Sequence, residues 1–509
     1  MALITKSSVV AFKKETTVSE LINPASGAEF VPMRSGGSIT AAVETIGSDE
    51  MINSLGASKE FVVKEVPTAS FPKYLKHSGV EGQEPEYGVL IESALGSKDI
   101  QGTERNTVGG STAGTAAARA TLVVDSGEGA EYLTGKAVMI KDATNGYSIR
   151  NVKSVATDTL SLNFNLSNAP ASGINLGKAV QYYPAKSGHP SYSMHVYQAS
   201  VASAYHQAIA GCRTTAMNLS FPANNYAEIN FDIAGTDFYL NPMVVASTDS
   251  YLDFSDTAPT TYAIQLDLKS YKTPHELARA IEAKMNGVGS VDSYTVTFDN
   301  TTGKFTFTSD GTTFQLLWNS GANTANTVGD LLGFTVAADD TGALTYTSDN
   351  AISYDPAYTP SYDNSDNLVI KGSELVIGSF NEFSCRSATQ ASFSIGTPKV
   401  DINDLCDENG VSESVTLDRT ATFSTTLILA KHEAGLFDKF INNTTTELMF
   451  NCGVKSGGNW VAGKCFNIYF PNASLTSHVI ADNEGYQVIN LEATAFVTSS
   501  SEEVFLNFL

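Results

Sequence analysis

The sequence predicts a mainly β protein: two tandem β-sandwich or barrel units, each with a short helix, plus a small inserted β-barrel and a small inserted α+β module. Three observations lead to this class. The chain repeats itself internally, its apolar residues fall in short alternating runs, and its 40 glycines among 509 residues suit a turn-rich fold. With 42% hydrophobic residues, the chain has enough apolar surface for real cores.

The internal repeat divides the chain. Residues 382–497 repeat, in order and in residue character, the content of residues 34–96 and 212–235. Two anchors carry the match: Glu86–Leu90 corresponds to Glu433–Phe437, and Leu219–Asn224 corresponds to Ile468–Asn472. The predicted domains are a discontinuous first unit over residues 1–120 and 187–235, an inserted β-barrel over 121–186, an inserted α+β module with its connector over 236–360, and a second unit over 361–509.

The first unit is predicted to consist of strands around one short helix. Residues 35–46 alternate as a strand, a polar loop follows to about residue 58, and residues 60–66 alternate again. Apolar residues at helical spacing predict a helix over residues 86–95, which Gly96 ends. Residues 97–119 are rich in Gly, Thr, Ser and Ala and are predicted to form a linker. Short strands between residues 121 and 183 then predict the inserted barrel.

The inserted α+β module is predicted around one well-marked helix. Thr273 and Glu276 form a capping box, and Pro274 takes the first helical position. Three apolar residues give the buried stripe of this helix: Leu277, Ile281 and Met285. Residues 262–268, 294–298 and 304–308 are predicted as flanking strands.

The net charge of −23 argues against a protein that grips nucleic acid. It comes from 54 acidic and 31 basic residues, and tight binding to phosphates needs clustered lysine and arginine. A like charge beside a duplex instead prevents adsorption within a Debye length of about 8 Å. An acidic surface that DNA passes without binding therefore fits the composition, and general solubility is the other explanation of the charge.

The sequence predicts cytosolic folding with reduced thiols. No run approaches the ~18 apolar residues of a membrane helix, and residues 1–7 lack the pattern of a signal peptide. The five cysteines are odd in number and lack CxxC spacing. They are Cys212, Cys385, Cys406, Cys452 and Cys465. We therefore expect no membrane span and no disulfide framework.

No motif predicts catalysis, a cofactor or a metal. His275 and Glu276 begin an HExxH pattern, but Arg279 stands where the second histidine belongs. Residues 401–410 look like a calcium loop, but the glycine falls at the tenth position, where an EF-hand needs it at the sixth. We therefore expect no enzyme, no cofactor and no metal site. A pair of carboxylates that meets only in the fold stays open as a hydrolase alternative.

The order of these segments resembles the tail tube (major tail) proteins of long-tailed, siphovirus-type bacteriophages. The matching segments are Phe30–Ile39, Glu44–Glu50, Tyr87–Gly96, Gly211–Gly235 and Asn367–Val497. Residues 263–349 are similar to a small module attached to various phage structural proteins. Over more than half its length, the chain thus resembles a duplicated tail-tube unit with two inserted domains.

The resemblance implies a structural virion protein. Its β-units would line a tube of stacked rings, and two units per chain would make a trimeric, pseudo-hexameric ring whose main partner is other copies of itself. The tape measure and tail terminator proteins would be further partners, and genome DNA would pass during ejection without specific binding. The protein would be assembled in the host bacterial cytoplasm and reside in the virion tail.

The acidic loops at residues 45–58 and 396–413 are the candidates for contacts between rings. Their named residues are Gly47, Ser48, Asp49, Glu50, Asp401, Asp404, Asp407 and Glu408. Ordinary surface hairpins are the alternative for these loops. For the whole chain, the alternative is an adhesin at the tail tip or surface that binds a host glycan or protein through the inserted domains.

Overall fold

The computed structural model describes residues 8–49, 59–107, 119–198, 205–257, 260–363, 365–378, 385–406, 411–429, 434–498 and 502–509. It is 51% strand and 9% helix, so the predicted mainly β class is confirmed. The described residues contain three α-helices: α1 (Gly88–Leu95), α2 (Pro274–Asn286) and α3 (Ala434–Ile441). None of these three helices has the length and apolar character needed to cross a membrane.

The strands are numbered in chain order. The first unit begins with β1 (Ser8–Lys14), β2 (Phe30–Val31), β3 (Ser38–Thr40), β4 (Val43–Gly47), β5 (Glu60–Glu65), β6 (Thr68–Tyr74) and β7 (Gly96–Gln101). Next come β8 (Arg105–Asn106), β9 (Thr121–Val123), β10 (Ala137–Asp142), β11 (Gly146–Ala156), β12 (Thr159–Leu162), β13 (Asn175–Leu176) and β14 (Ala179–Pro184). The first unit resumes with β15 (Tyr192–Gln198), β16 (Tyr205–Pro222), β17 (Glu228–Ala234) and β18 (Asp237–Leu240).

The remaining strands belong to the α+β module and the second unit. The module contains β19 (Met243–Val244), β20 (Tyr251–Ser255), β21 (Thr261–Gln265), β22 (Ser270–Tyr271), β23 (Tyr294–Asp299), β24 (Lys304–Ser309), β25 (Phe314–Leu316), β26 (Asp340–Ala343) and β27 (Thr345–Thr347). The second unit contains β28 (Glu374–Gly378), β29 (Ala388–Gly396), β30 (Lys399–Asn403), β31 (Val411–Thr416), β32 (Thr420–Ile428), β33 (Thr446–Ser456), β34 (Asn459–Asn483), β35 (Tyr486–Ala495) and β36 (Phe505–Phe508).

One continuous antiparallel ladder, which we call the shared ladder, runs through both units. Its order is β3-β6-β17-β16 in the first unit and β29-β32-β35-β34 in the second. Strands β16 and β29 join the two halves, with Leu219 opposite Phe393. Because side chains alternate along each strand, one face of the ladder is apolar and buried, and it includes Phe71, Phe231 and Phe423.

A second layer packs on this apolar face. It consists of two outer ladders. The first is β2-β1-β15-β16-β18 of the first unit. The second is β28-β33-β34-β36 of the second unit, which continues into β14 and β7 from the earlier part of the chain. The long strands β16 and β34 each pass from an outer ladder into the shared ladder. Both shift register after this crossing, between Thr214 and Ala216 and between Leu475 and Ser477. The two units therefore share one topology.

The inserted segments form their own sheets. The first has the order β8-β13-β10-β11-β12-β9 and encloses an apolar cluster that includes Leu122 and Ile140. In the second, α2 begins where its sequence predicts, because the Thr273 hydroxyl accepts a hydrogen bond from the Glu276 amide at 3.2 Å. The Glu276 carboxylate accepts from the Lys272 amide at 2.7 Å, one residue before the position that a capping box uses.

Several details of the sequence analysis differ from the structure, and the predicted strand over 35–46 is divided into β3 and β4, which belong to different sheets. The predicted linker at 97–119 contains β7 and β8, because β7 pairs with β14 far along the chain and this pairing outweighs weak local strand propensity. The second repeat anchor is out of register, since Phe221 lies near the end of β16 whereas Phe470 lies in the middle of β34. The helix anchor is in register, because Gly88 and Gly435 both lie in the first turn of their helices.

Gly96 ends α1 in a conformation that only glycine adopts easily. Its φ is +98°, and an added Cβ would lie 2.9 Å from His189 Nε2 and 3.0 Å from Ala185 Cβ. We expect Gly96→Ala to destabilise the fold by about 1–2 kcal/mol from the left-handed backbone alone. The midpoint of urea unfolding measures this loss. Gly102→Ala is the control, since its Cβ would meet nothing within 4 Å, and an equal shift in both variants would contradict the prediction.

Candidate assembly surfaces

The exposed face of the shared ladder, called the polar face, carries short hydroxyl and amide side chains. They are Ser70, Asn218, Ser220, Asn230, Ser392, Ser394, Thr422, Ser424, Thr426, Asn490 and Thr494. Residues two apart in a strand share a face, which puts the whole set on one side. A shallow concavity of about 670 Å³ lies over this face.

Hydrogen bonds between strands hold the polar face in order. Ser394 donates to Asn218 at 2.7 Å across the junction of the two units. The hydroxyls of Ser392 and Ser424 lie 2.7 Å apart within the second unit. These side chains satisfy one another along the surface, so the face is polar without depending on ion pairs.

Among the described residues, the strands of the shared ladder contribute only acidic charges to the polar face, and Arg34, which precedes β3, also lines the concavity. Asp232 of β17 pairs with Ala216, the first paired residue after the register shift of β16. Glu492 of β35 pairs with Ser477, the first paired residue after the register shift of β34, so the two acids lie at corresponding positions. Glu228 is paired with Arg34 at 2.8 Å. Across the described residues, the strands of the shared ladder place no lysine or arginine on this face. The face therefore offers no cationic cluster to phosphates.

Two hairpins leave the shared ladder at corresponding points. The β4–β5 hairpin connects β3 to β6, and the β30–β31 hairpin connects β29 to β32; each is a separate two-stranded sheet. Both expose apolar side chains: Ile46 is 61% exposed, Phe61 56%, Val62 62% and Ile402 45%, and Leu405 is fully exposed. The predicted alternation over 60–66 thus buries neither face. Contiguous exposed apolar side chains of this kind mark interaction surfaces.

The structure places the predicted loop residues on these hairpins. Gly47 ends β4, and Ser48 and Asp49 follow it; all three are exposed. Asp404 follows β30 and accepts a hydrogen bond from the Cys406 amide at 2.9 Å. Glu50, Asp407 and Glu408 lie outside the described residues.

Asp401 ties the two hairpins together instead of standing free in a loop. Its carboxylate lies 2.6 Å from Lys64 Nζ of the other hairpin and 3.0 Å from Lys399 Nζ, and the Ser414 hydroxyl donates to it at 2.7 Å. Burial alone would raise the pKa of Asp401, but hydrogen bonds from Lys64, Ser414 and Lys399 outweigh it and lower the pKa. Asp401 is therefore a positioning residue that fixes both hairpins on one side of the chain.

Within the described part of the chain, the shared ladder ends in two unpaired edges. There β3 pairs only with β6, and the edge of residues 474–483 of β34 opposite β35 has no partner. Val479 and Ile480 on this edge are 52% and 57% exposed. Ile480 lies three residues after Ser477, which follows the register shift of β34, and Leu219 lies three residues after Ala216, which follows the register shift of β16. The two residues therefore correspond, and Leu219 is buried.

The other free edge, β3, corresponds to β29. Ser38 pairs with Ser70 of β6, and Ser70 pairs with Asp232 of β17. In the same way, Ser392 pairs with Ser424 of β32, and Ser424 pairs with Glu492 of β35. The next residues, Ile39 and Phe393, therefore correspond. Phe393 is buried at the junction of the units, whereas Ile39 is only partly buried.

The polar face and the free edges were not predicted from the sequence. A signal for the face does exist, because Gln390, Ser392 and Ser394 alternate with apolar residues in β29, and Thr422 and Ser424 do so in β32. The free edges leave no such signal, since only the pairing pattern shows which strands lack a second neighbour.

Comparison with protein-family models finds no match, and comparison with curated proteins finds none either. Among solved structures, one match is described as the tail of an empty GTA particle with C6 symmetry. It is 16% identical, with a TM-score of 0.20, and the match covers 26% of this chain and 95% of that chain. A TM-score of 0.20 is too low to assign a shared function.

Proposed function

We propose that this chain is a structural protein of a bacteriophage-type tail, which polymerises as stacked rings into a tail tube. The observation that carries the proposal is the junction of β16 and β29 inside the chain, together with the edges of their counterparts, β34 and β3, that have no partner among the described residues. A contact that repeats head to tail forms a ring if the rotation closes. Three chains with two units each then supply the six wedges of a pseudo-hexameric ring.

Repeating the internal junction between chains fixes a register. Within the chain, Leu219 of β16 lies opposite Phe393 of β29. At the free edges, the corresponding residues place Ile480 of one copy opposite Ile39 of the next. This contact removes the exposed edges, which would otherwise template uncontrolled pairing, and it covers the exposed side chain of Ile480.

The hairpins β4–β5 and β30–β31 supply the contact between rings in this proposal. They project from corresponding points of the two units and expose apolar side chains. The candidate residues Gly47, Ser48, Asp49 and Asp404 belong to the same projections. At the two ends of the tube, other tail proteins such as the tape measure and the tail terminator meet these surfaces.

The polar face lines the bore in this proposal. A surface of hydroxyls, amides and a few carboxylates, without a cationic cluster, stays hydrated and does not bind phosphates, so duplex DNA slides past it without adsorbing. The inserted segments attach to outer strands, with Asn151 of β11 bonded to Asn467 in the outer part of β34, and they leave the bore clear. The role is passive, and no catalytic step or cofactor is required.

Electron microscopy of the purified chain tests the proposal. At rising concentration and neutral pH, we expect rings or tubes with an open bore, six-fold modulation in end views, and a ring mass of three chains. Particles without a bore at every concentration would refute it. A host-binding role of the inserted domains stays a second prediction, and binding of the full chain to a glycan array would support it.

Lysines on the polar face are expected to make the bore retain DNA. In the variant Ser220→Lys with Thr422→Lys, tubes should bind duplex DNA measurably, with an affinity that falls as salt rises by a slope of about −0.9 per phosphate contacted. Sedimentation of DNA with the tubes measures this binding. The control is Thr295→Lys with Thr297→Lys on exposed positions of β23, and equal retention by both variants would contradict the assignment of the bore.

A further inference from the structure

Two helices at corresponding places differ sharply in how far they are covered. The anchor that aligns α1 with α3 matches Leu90 to Phe437 and Ala94 to Ile441. Leu90 and Ala94 are fully buried, at 0% exposure. Phe437 and Ile441 are 48% and 62% exposed. An apolar face that is buried in the first unit is therefore open to solvent in the second.

Within the chain, α1 is covered by β14, β7 and β16, and a strand of the other unit, β36, reaches its N-terminal cap. Tyr87, which caps α1, meets Phe508 of β36 with ring centroids 6.3 Å apart. Tyr182 of β14 packs on the same phenylalanine edge to face, at 6.1 Å. Phe508 and Leu506 of β36 are both buried in the main core. Strand β36 thus reaches the N-terminal end of α1 and, through its pairing with β14, continues the sheet that covers this helix.

The first unit carries a strand that corresponds to β36. Strand β18 follows β17 and pairs with the outer part of β16, just as β36 follows β35 and pairs with the outer part of β34. Phe238 and Leu240 lie on the core-facing side of β18 and are only partly buried. Within the described residues of one chain, β18 packs on β16, whereas α3 packs on β34.

The open face of α3 is continuous with the free edge of β34. Phe437 meets the His478 ring at 5.3 Å between centroids, and the exposed Ile480, two residues after His478, lies on the same face of β34. Together these side chains form one apolar surface at the end of the second unit. A partner that pairs with the edge would necessarily approach the helix as well.

We infer that the apolar face of α3, formed by Phe437 and Ile441, is a docking surface for a second copy of this chain, whose Phe238 and Leu240 on β18 cover it. The internal contact of Tyr87, the cap of α1, with Phe508 of β36 is the template for this arrangement. The inference rests on the proposed head-to-tail ring, because that ring brings β18 of one copy to α3 of its neighbour. Each ring junction then combines strand pairing with a packed apolar contact.

Cross-linking of the full chain tests this contact separately from the ring itself. In a background with Cys385→Ser and Cys406→Ser, which removes the exposed thiols, the helix pair is Phe437→Cys with Leu240→Cys. The edge pair is Ser38→Cys with Ala481→Cys. The control pair is Phe437→Cys with Val291→Cys, a residue of the inserted module that is 71% exposed. A short bis-maleimide reagent is applied, and denaturing gels count the linked chains.

We expect the helix pair and the edge pair to give linked oligomers about tenfold more efficiently than the control pair, because docking raises the effective concentration of the thiols. If the edge pair links and the helix pair does not, the inference is overturned, the ring is retained, and a different protein covers α3. If neither pair links, the proposed ring fails as well. Equal linking by the control pair shows non-specific contact and also overturns the inference.

Discussion

Replacing Asn467 by leucine is expected to destabilise the chain by about 3–5 kcal/mol, because it leaves several buried amides without partners. Asn467 donates to Asn451 at 2.7 Å and to Asn151 at 3.0 Å. Its carbonyl accepts from Asn151 at 2.8 Å and from Asn507 at 2.9 Å. All four asparagines have 0% exposure. The network links the first inserted sheet to the outer strands of the second unit through hydrogen bonds.

Two measurements localise this effect. Guanidinium unfolding gives the loss of stability, and hydrogen exchange should rise first in β10 and β11, which lie against the network. The tryptophan fluorescence of Trp460, which packs with Ala137 and Met139 of β10, reports the same contact. Asn175→Leu at an exposed position of β13 is the matched control. If Asn467→Leu unfolds like this control, the network does not anchor the inserted sheet.

Local signals in the sequence predict the elements that depend on few residues. The helix α2 follows from Thr273 and Pro274, and the end of α1 follows from Gly96, since capping and left-handed glycine act within one turn. Strand β7 was missed because only its distant partner β14 makes Gly96–Gln101 extended. The repeat anchor that matched Phe221 to Phe470 was out of register for a similar reason, since matching residue types do not fix strand register.

The assembly surfaces depend on pairing between distant strands, so they were harder to predict from the sequence. The loops at 45–58 and 396–413 were proposed as ring contacts because the family resemblance implies such acidic loops. The link from Asp401 to Lys64 needed the fold, because the two residues are far apart in the chain. The polar face needed the orientation of every strand. The free edges could be recognised only from the strand pairing. Because β16 pairs with β29, the comparison shows that one edge of β34 and one edge of β3 have no partner among the described residues.

Replacing Ile480 by lysine is expected to leave the chain folded and to prevent ring formation. Ile480 is 57% exposed in the single chain, so the substitution costs the isolated fold little. In the proposed ring this side chain is buried opposite Ile39 of the next copy. Burying an unpaired ammonium there costs about 3–5 kcal/mol per junction, which raises the concentration needed for assembly by roughly 100-fold or more. Light scattering and electron microscopy across a concentration series measure the shift.

Two further variants separate this edge effect from a general effect of charge. Val291→Lys changes an apolar residue that is 71% exposed on the inserted module, and it should assemble like the unmodified chain. Ile39→Asp should block assembly as Ile480→Lys does, because both act on the same junction. Mixing the two variants should restore pairing between unlike chains, since the new ammonium of one chain then meets the new carboxylate of the other. A ring of three chains cannot alternate, so closed rings should stay absent from the mixture. Normal tubes from Ile480→Lys alone would show that β34 is not the edge that joins neighbouring chains.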